Sequence, residues 1–137
     1  MNGDRLFIDT VFIQALLNRN DQYHQQAKAF LPRLRAASEV WVTEAVLIEV
    51  GNALSATNRT AAIQFIEQCY QTSNIQVVPV DTQLLSRAIQ LYQSRPDKTW
   101  GLTDCISFII MQDQGLIDVV TVDRHFIQAG YRALLLE

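Results

Sequence analysis

The chain is poor in cysteine, in lysine and in long apolar runs, and each shortage excludes something. Cys69 and Cys105 are the two cysteines. They form neither a CxxC pair nor a zinc-ligand spacing, which leaves reduced thiols and argues against a disulfide framework or a zinc module. The longest apolar runs fall far short of the ~20 residues that a membrane span requires. The stretch MNGDRLFID carries charges where a secretory signal has an apolar segment. These absences lead to the expectation of a soluble, cytoplasmic protein. Lys28 and Lys98 are the two lysines among 11 basic side chains, which face 14 acidic ones for a formal net charge of -3. A dedicated nucleic-acid binder is ordinarily basic, because phosphate contacts dominate its affinity. Contact between this chain and a polyanion must therefore be local, or must borrow positive charge from metal ions.

What is present suits one folded unit. Hydrophobic residues make up 49% of the 137 positions and charged ones 18%, enough for a core and too little charge for disorder. No internal repeat, linker or low-complexity stretch divides the chain, so one domain over residues 1–137 is expected. Short apolar runs alternate with longer amphipathic segments. Strands are expected at residues 5–8, 39–43, 75–80, 118–122 and 133–136. Helical spacing covers residues 11–18, a segment capped by Asn20 or Asp21 and running to about 36, residues 44–56, and a segment opened by Asn58 or Thr60. Further helices follow Asp81 or Thr82 up to about Ser94, and cover 104–114, capped by Thr103 and closed by Gly115. Strands alternating with helices imply an α/β fold, a three-layer sandwich with a central parallel sheet of four to five strands.

Four acids stand out against this pattern. In a parallel α/β sheet, ligands bind beyond the carboxyl ends of the strands, where Asp9 follows the first strand and Asp123 the fourth. Each also suits helix capping or a turn. Glu49 lies inside a helix among Ala45, Val46, Asn52 and Ala53, which suggests a face that is not plainly solvated. An unpaired carboxylate there would be costly and would need a basic partner, hydrogen bonds or a metal. Glu44, in the first turn of the same helix, reads as structural because its charge answers the helix dipole. Asp104 opens a helix whose face carries Ser107, Phe108 and Met111, and it too can serve the dipole. Together, four acids from four separated segments repel one another unless a cation joins them. Oxygen ligands without His or Cys suit a hard ion, Mg²⁺ or Mn²⁺.

With these residues in view, the chain resembles the PIN-domain family, which includes the ribonuclease toxins of VapBC toxin–antitoxin systems. The matching stretches are Phe7-Ile8-Asp9-Thr10, the segment from Thr43 to Glu49-Val50, Leu102-Thr103-Asp104-Cys105-Ile106-Ser107-Phe108, and Thr121-Val122-Asp123-Arg124-His125-Phe126. Asp21, His24 and Ala27 add a further common feature. The resemblance covers essentially the whole chain; no single motif is specific, and the ordered set of four carries it. It implies metal-dependent endonucleolytic hydrolysis of RNA that leaves a 5′-phosphate and a 3′-hydroxyl. By position, Asp9, Glu49, Asp104 and Asp123 take the roles of the family's acidic quartet. Asp9 and Asp104 would be the direct ligands, Glu49 would orient water or ligate a second ion, and Asp123 would complete the site. The resemblance also implies a homodimer and, for a toxin, a small antitoxin that blocks the site.

Other residues carry two readings each. Thr10 and Thr121 can support the carboxylates or satisfy nearby backbone. Arg95, Lys98 and Arg124 can hold phosphate or simply be solvated. Trp100 can stack on a base or fill the core. His24 and His125 read as structural or capping residues, and Cys105 as a small core residue. Two other functions remain open. One is a PIN domain without catalysis that binds RNA or protein. The other is a phosphoacceptor receiver domain, disfavoured because no lysine follows Lys98.

Overall fold

A computed structural model describes residues 3–137 of the chain. Its sheet consists of β1 (Arg5–Ile8), β2 (Glu39–Thr43), β3 (Ile75–Val78), β4 (Asp118–Val120) and β5 (Arg132–Ala133). All pairings are parallel and the spatial order is β3-β2-β1-β4-β5. Pleating sends alternate side chains to opposite faces, and the two faces carry different cores. Leu6, Ile8, Val40, Val42 and Val120 join one cluster, with Phe12 and Ile13 of α1 (Thr10–Leu17), Ala27 and Leu34 of α2 (His24–Ala36), Val46 and Val50 of α3 (Glu44–Ala53) and Cys69 of α4 (Arg59–Gln71). Phe7 and Val119 face the other way. They meet Leu84 and Ala88 of α5 (Thr82–Ser94), Ile106 and Met111 of α6 (Leu102–Gln114) and Phe126 of α7 (Arg124–Gln128). The result is a three-layer α/β/α sandwich whose central strands are covered on both faces, as a parallel sheet requires.

The strand order sets up the site. After β1 the chain builds β2 and β3 on one side, then crosses back through α5 and α6 to place β4 against the opposite edge of β1. β1 and β4 thus flank the topological switch point, where a crevice opens beyond the strand ends. Ile8 pairs with Val120 in register, so the segments following both strands emerge side by side.

Several boundaries differ from the sequence reading. The final strand was expected at 133–136, but β5 ends at Ala133 and Leu134–Leu136 coil into a 3-10 turn. There the Leu135 N–H donates to the Thr121 carbonyl (3.2 Å), and Leu134 and Leu135 pack onto the first core cluster. Three consecutive leucines look like strand, yet the turn buries Leu134 and leaves Leu135 partly buried against the same cluster. The sixth helix begins at Leu102, two residues early, with Gly101 rather than Thr103 as its N-cap. The second starts only at His24, because Asp21 binds the Tyr23 N–H in a local turn (2.8 Å). Helix α7 was not anticipated. It is five residues long, too short to show a period, and follows its cap Asp123 directly.

Candidate active site

Each acid of the quartet reaches the crevice by a different local device. Asp9 terminates β1 and caps α1: its Oδ1 accepts from the Phe12 N–H (3.0 Å). Its other oxygen accepts from the hydroxyl of Thr121 (2.6 Å). Thr121 also accepts from the Asp123 N–H (3.0 Å), so one fully buried hydroxyl ties the segments after β1 and β4 together. Asp123 caps α7, accepting from the His125 N–H (2.9 Å). Asp104 sits in the first turn of α6, where Oδ2 accepts from the Gly101 N–H (3.1 Å). Glu49 comes from α3, and its Oε1 accepts from the Thr10 hydroxyl (2.8 Å). All four acids line one cavity of about 210 Å³, together with Thr10, Thr103 and Ser107.

Burial within the quartet is uneven. Asp9 is buried, with 4% of its surface exposed. Loss of hydration pushes its carboxyl up to about 7; the bonds from Thr121 and Phe12 oppose that rise, and the charges of Asp123 and Asp104 add to it. Asp104 is half-buried and is raised as well, first by desolvation and further by Asp123, against the help of the Gly101 N–H and His125. Glu49 corrects an expectation: it is exposed. Helix α3 buries Val46, Leu47 and Val50, while Ile48 and Glu49 both face outward. The apolar neighbours that suggested burial are a mixed set, and Glu49 stands at the cavity's solvent-side rim. Glu44 instead ties elements together, accepting from the Tyr70 hydroxyl (2.8 Å) and the Val80 N–H (3.2 Å).

The compensation of these charges is the informative feature. Asp4, Glu39, Asp97, Asp113, Asp118 and Glu137 each sit against an arginine. Among the described residues, none of Asp9, Glu49, Asp104 and Asp123 pairs with arginine or lysine, and no basic side chain lines the cavity. Carboxylates gathered without cations are ready to accept one. Ligand atoms of Asp104, Asp123 and His125 lie within 4.8 Å of one another. This oxygen-rich donor set fits a hard dication, with one imidazole beside it.

His125 is the residue that sequence reasoning set aside. Its Nδ1 lies 3.0 Å from Asp104 and 3.5 Å from Asp123, and its Nε2 lies 3.1 Å from the Thr99 hydroxyl. The signal was present in its position two residues after Asp123, but nothing in the sequence placed it against Asp104. His24, by contrast, faces the Ala15 carbonyl at 2.8 Å and joins α2 to α1. Trp100 is buried, edge-on to Phe108 at 5.0 Å, and donates to Gln128. Burial and the charge of Asp104 push the Cys105 thiol up to about 11, which makes it a packing residue rather than a nucleophile. Arg124 is exposed and lies outside the cavity lining.

The fold and the site define a class: a doubly wound α/β sheet with a cluster of acidic side chains at its switch point. Within that class, the chain belongs to the PIN-domain family, whose model matches residues 6–130. Among solved structures it is similar to VapC20 of Mycobacterium tuberculosis, described as a sarcin-ricin loop cleaving toxin. The identity is 23%, the match covers 93% of this chain and 96% of that one, and the TM-score is 0.83. It is also similar to FitAcB from Neisseria gonorrhoeae, with 15% identity, 93% and 95% coverage and a TM-score of 0.64. Likeness at these identities establishes the shared fold. No protein of curated function matches the sequence.

Proposed function

We propose that the chain, as a single domain, is a divalent-metal-dependent endoribonuclease, and that it is the toxin of a toxin–antitoxin pair. One observation carries this reading: Asp9, Glu49, Asp104 and Asp123 converge on one cavity, and among the described residues none of them pairs with arginine or lysine. Membership of the PIN-domain family and the likeness to VapC20 support it.

Asp104, Asp123 and Asp9 would hold Mg²⁺ or Mn²⁺, with Glu49 at the rim. When bound, the ion supplies positive charge that offsets phosphate and polarises a phosphorus–oxygen bond. The protein's share of the chemistry is positioning. Thr121 fixes Asp9 and the backbone at Asp123, Gly101 and His125 hold Asp104, and Thr10 orients Glu49. Glu49 is the exposed member and is anchored through a single oxygen, so its other oxygen is free to accept a proton from an attacking water. Hydrolysis of this kind leaves a 5′-phosphate and a 3′-hydroxyl. Among the described residues no helix is long and apolar enough to cross a membrane, in keeping with action in the cytoplasm. The toxin reading extends to a homodimer and to a small antitoxin that closes the acidic cavity.

The test is cleavage of an end-labelled single-stranded or looped RNA. Cleavage is expected with Mg²⁺ or Mn²⁺, and neither in EDTA nor after Asp104→Asn. Activity that survives both EDTA and the substitution would end the proposal.

A further inference from the structure

We propose that the cavity formed by the end of α5 and the α5–α6 connection is a subsite for one nucleotide of single-stranded RNA, adjoining the acidic centre. The proposal takes the identity of the polymer from the ribonuclease reading; the location and chemistry of the subsite come from the structure.

The acidic centre poses a problem that the rest of the molecule must solve. It gathers four carboxylates with no arginine or lysine lining their cavity, in a chain whose net charge is -3. Such a centre repels a phosphate backbone, and a bound ion offsets that repulsion only locally. Holding an RNA strand in place calls for cationic and stacking groups beside the acids. The larger cavity of about 410 Å³ between α5 and α6 supplies them: Tyr92, Arg95, Lys98, Thr99 and Trp100 all line it. That volume falls within the usual range of small-ligand sites, ~300–1,000 Å³.

Each lining group has a state suited to a nucleotide. The Tyr92 ring is half exposed, a free face on which a base can stack. Arg95 lies over the Trp100 ring at 5.2 Å and is held in plane by two hydrogen bonds to Asp97 (3.0 and 2.9 Å). A guanidinium fixed in this way is itself a stacking surface. Lys98 is one of the two lysines in the chain. Its ammonium is 4.0 Å from Asp97, whose two oxygens already accept from Arg95. That leaves Lys98 the least committed cation of the cavity, available to a phosphate.

The connection to the acids is short. Thr99 lines this cavity and meets His125 Nε2 at 3.1 Å, and His125 Nδ1 meets Asp104 at 3.0 Å. Two hydrogen bonds therefore separate the wall of the subsite from an acid of the quartet. A strand whose phosphate sits over Asp104 would carry its neighbouring nucleotide across Thr99 toward Lys98 and Tyr92.

The test is the affinity of the full-length protein for a fluorescently labelled single-stranded RNA, measured by anisotropy in EDTA at low salt, so that cleavage does not intervene. Lys98→Ala is expected to weaken binding roughly tenfold and to flatten the dependence of log affinity on log salt by about 0.7. Tyr92→Ala is expected to weaken it by about fivefold or more, with Tyr92→Phe binding as the wild type does. Lys28→Ala removes the same charge from α2, outside this cavity, and is the control; it is expected to change affinity less than twofold. Circular dichroism melts check that each variant is folded. Equal effects of Lys98→Ala and Lys28→Ala, full affinity in Tyr92→Ala, or no RNA binding by the wild type would overturn the subsite. The two readings fail separately. A protein that cleaves RNA but is indifferent to Lys98 and Tyr92 loses the subsite alone. One that shows these binding losses but never cleaves loses the nuclease reading alone.

Discussion

Removing the most deeply buried acid of the site should make the metal-free protein more stable, in a way that depends on pH. Asp9 is buried, and its carboxyl is pushed up to about 7 chiefly by desolvation. In the unfolded chain it titrates near ~3.9. Because the folded-state value is the higher one, the folded protein holds this proton more tightly. The resulting stability is complete below about pH 4 and is lost as pH rises toward and through 7. A gap of about three pH units at 1.36 kcal/mol each makes the total loss about 4 kcal/mol.

Asp9→Asn removes that pH dependence. Asn is a good N-cap and keeps an acceptor for the Phe12 N–H. It has one acceptor oxygen where Asp9 uses two, so the Thr121 hydroxyl loses its partner, at ~1 kcal/mol. Near pH 4 the variant should therefore be the less stable protein, by ~1 kcal/mol. At pH 8 in EDTA it should be the more stable by ~3 kcal/mol, which for a chain of this size raises the melting temperature by roughly 10 °C. Thermal unfolding followed by circular dichroism from pH 4 to pH 8 checks this, and the two stability curves should cross. Adding Mn²⁺ at pH 8 should narrow the gap, because an ion that binds only the folded wild type stabilises it by ~2.7 kcal/mol at a hundred times its dissociation constant. Parallel curves, or a variant less stable than the wild type at pH 8 without metal, would refute the reasoning. Either result would mean that the Asp9 charge is already compensated inside the fold.

Two further outcomes follow from single side chains and backbone angles. Thr121→Val preserves volume but removes the hydroxyl that donates to Asp9 and accepts from Asp123 N–H; Mn²⁺ affinity, read by titration calorimetry, should fall roughly 10- to 100-fold while the fold is retained. Gly130 has φ +98, which a Cβ disfavours, so Gly130→Ala should cost ~1–2 kcal/mol and lower the melting temperature by several degrees.

Much of the fold was legible because it rests on short-range pattern. The runs RLFI, EVWVT and IQVVPV are β-rich and apolar, and each becomes a strand, the third stopping at Val78 rather than Val80. Of the alternatives Asn58 or Thr60 and Asp81 or Thr82, Asn58 and Asp81 cap α4 and α5. Asp9 also caps a helix, a role it combines with its place in the acidic crevice. Where reading failed, the deciding contact was distant in sequence. The coil at Leu134–Leu136 depends on the carbonyl of Thr121 and on a core built mostly by the first half of the chain. Helix α7 spans little more than one turn, below the length at which periodicity can be seen.

The site divides along the same line. Asp9 and Asp123 could be placed because strand ends in a parallel sheet are predictable positions, and the switch point between β1 and β4 joins them. Burial could not be read as safely. Glu49 was assigned an inward face from neighbours three and four residues away, but those neighbours include both buried Val46 and exposed positions, and the exposed side prevailed. His125 could not be assigned at all, because its contact with Asp104 spans 21 residues and depends on how α7 packs against α6. The same dependence keeps a net charge of -3 from reporting how charge is distributed in the fold. Charge summed over the chain conceals a division in space: carboxylates without arginine or lysine partners collect at the switch point, while Arg95 and Lys98 stand one loop away on the connection leading into Asp104. On the proposed function a polyanion would meet that local arrangement rather than the summed charge, and only the tertiary fold determines it.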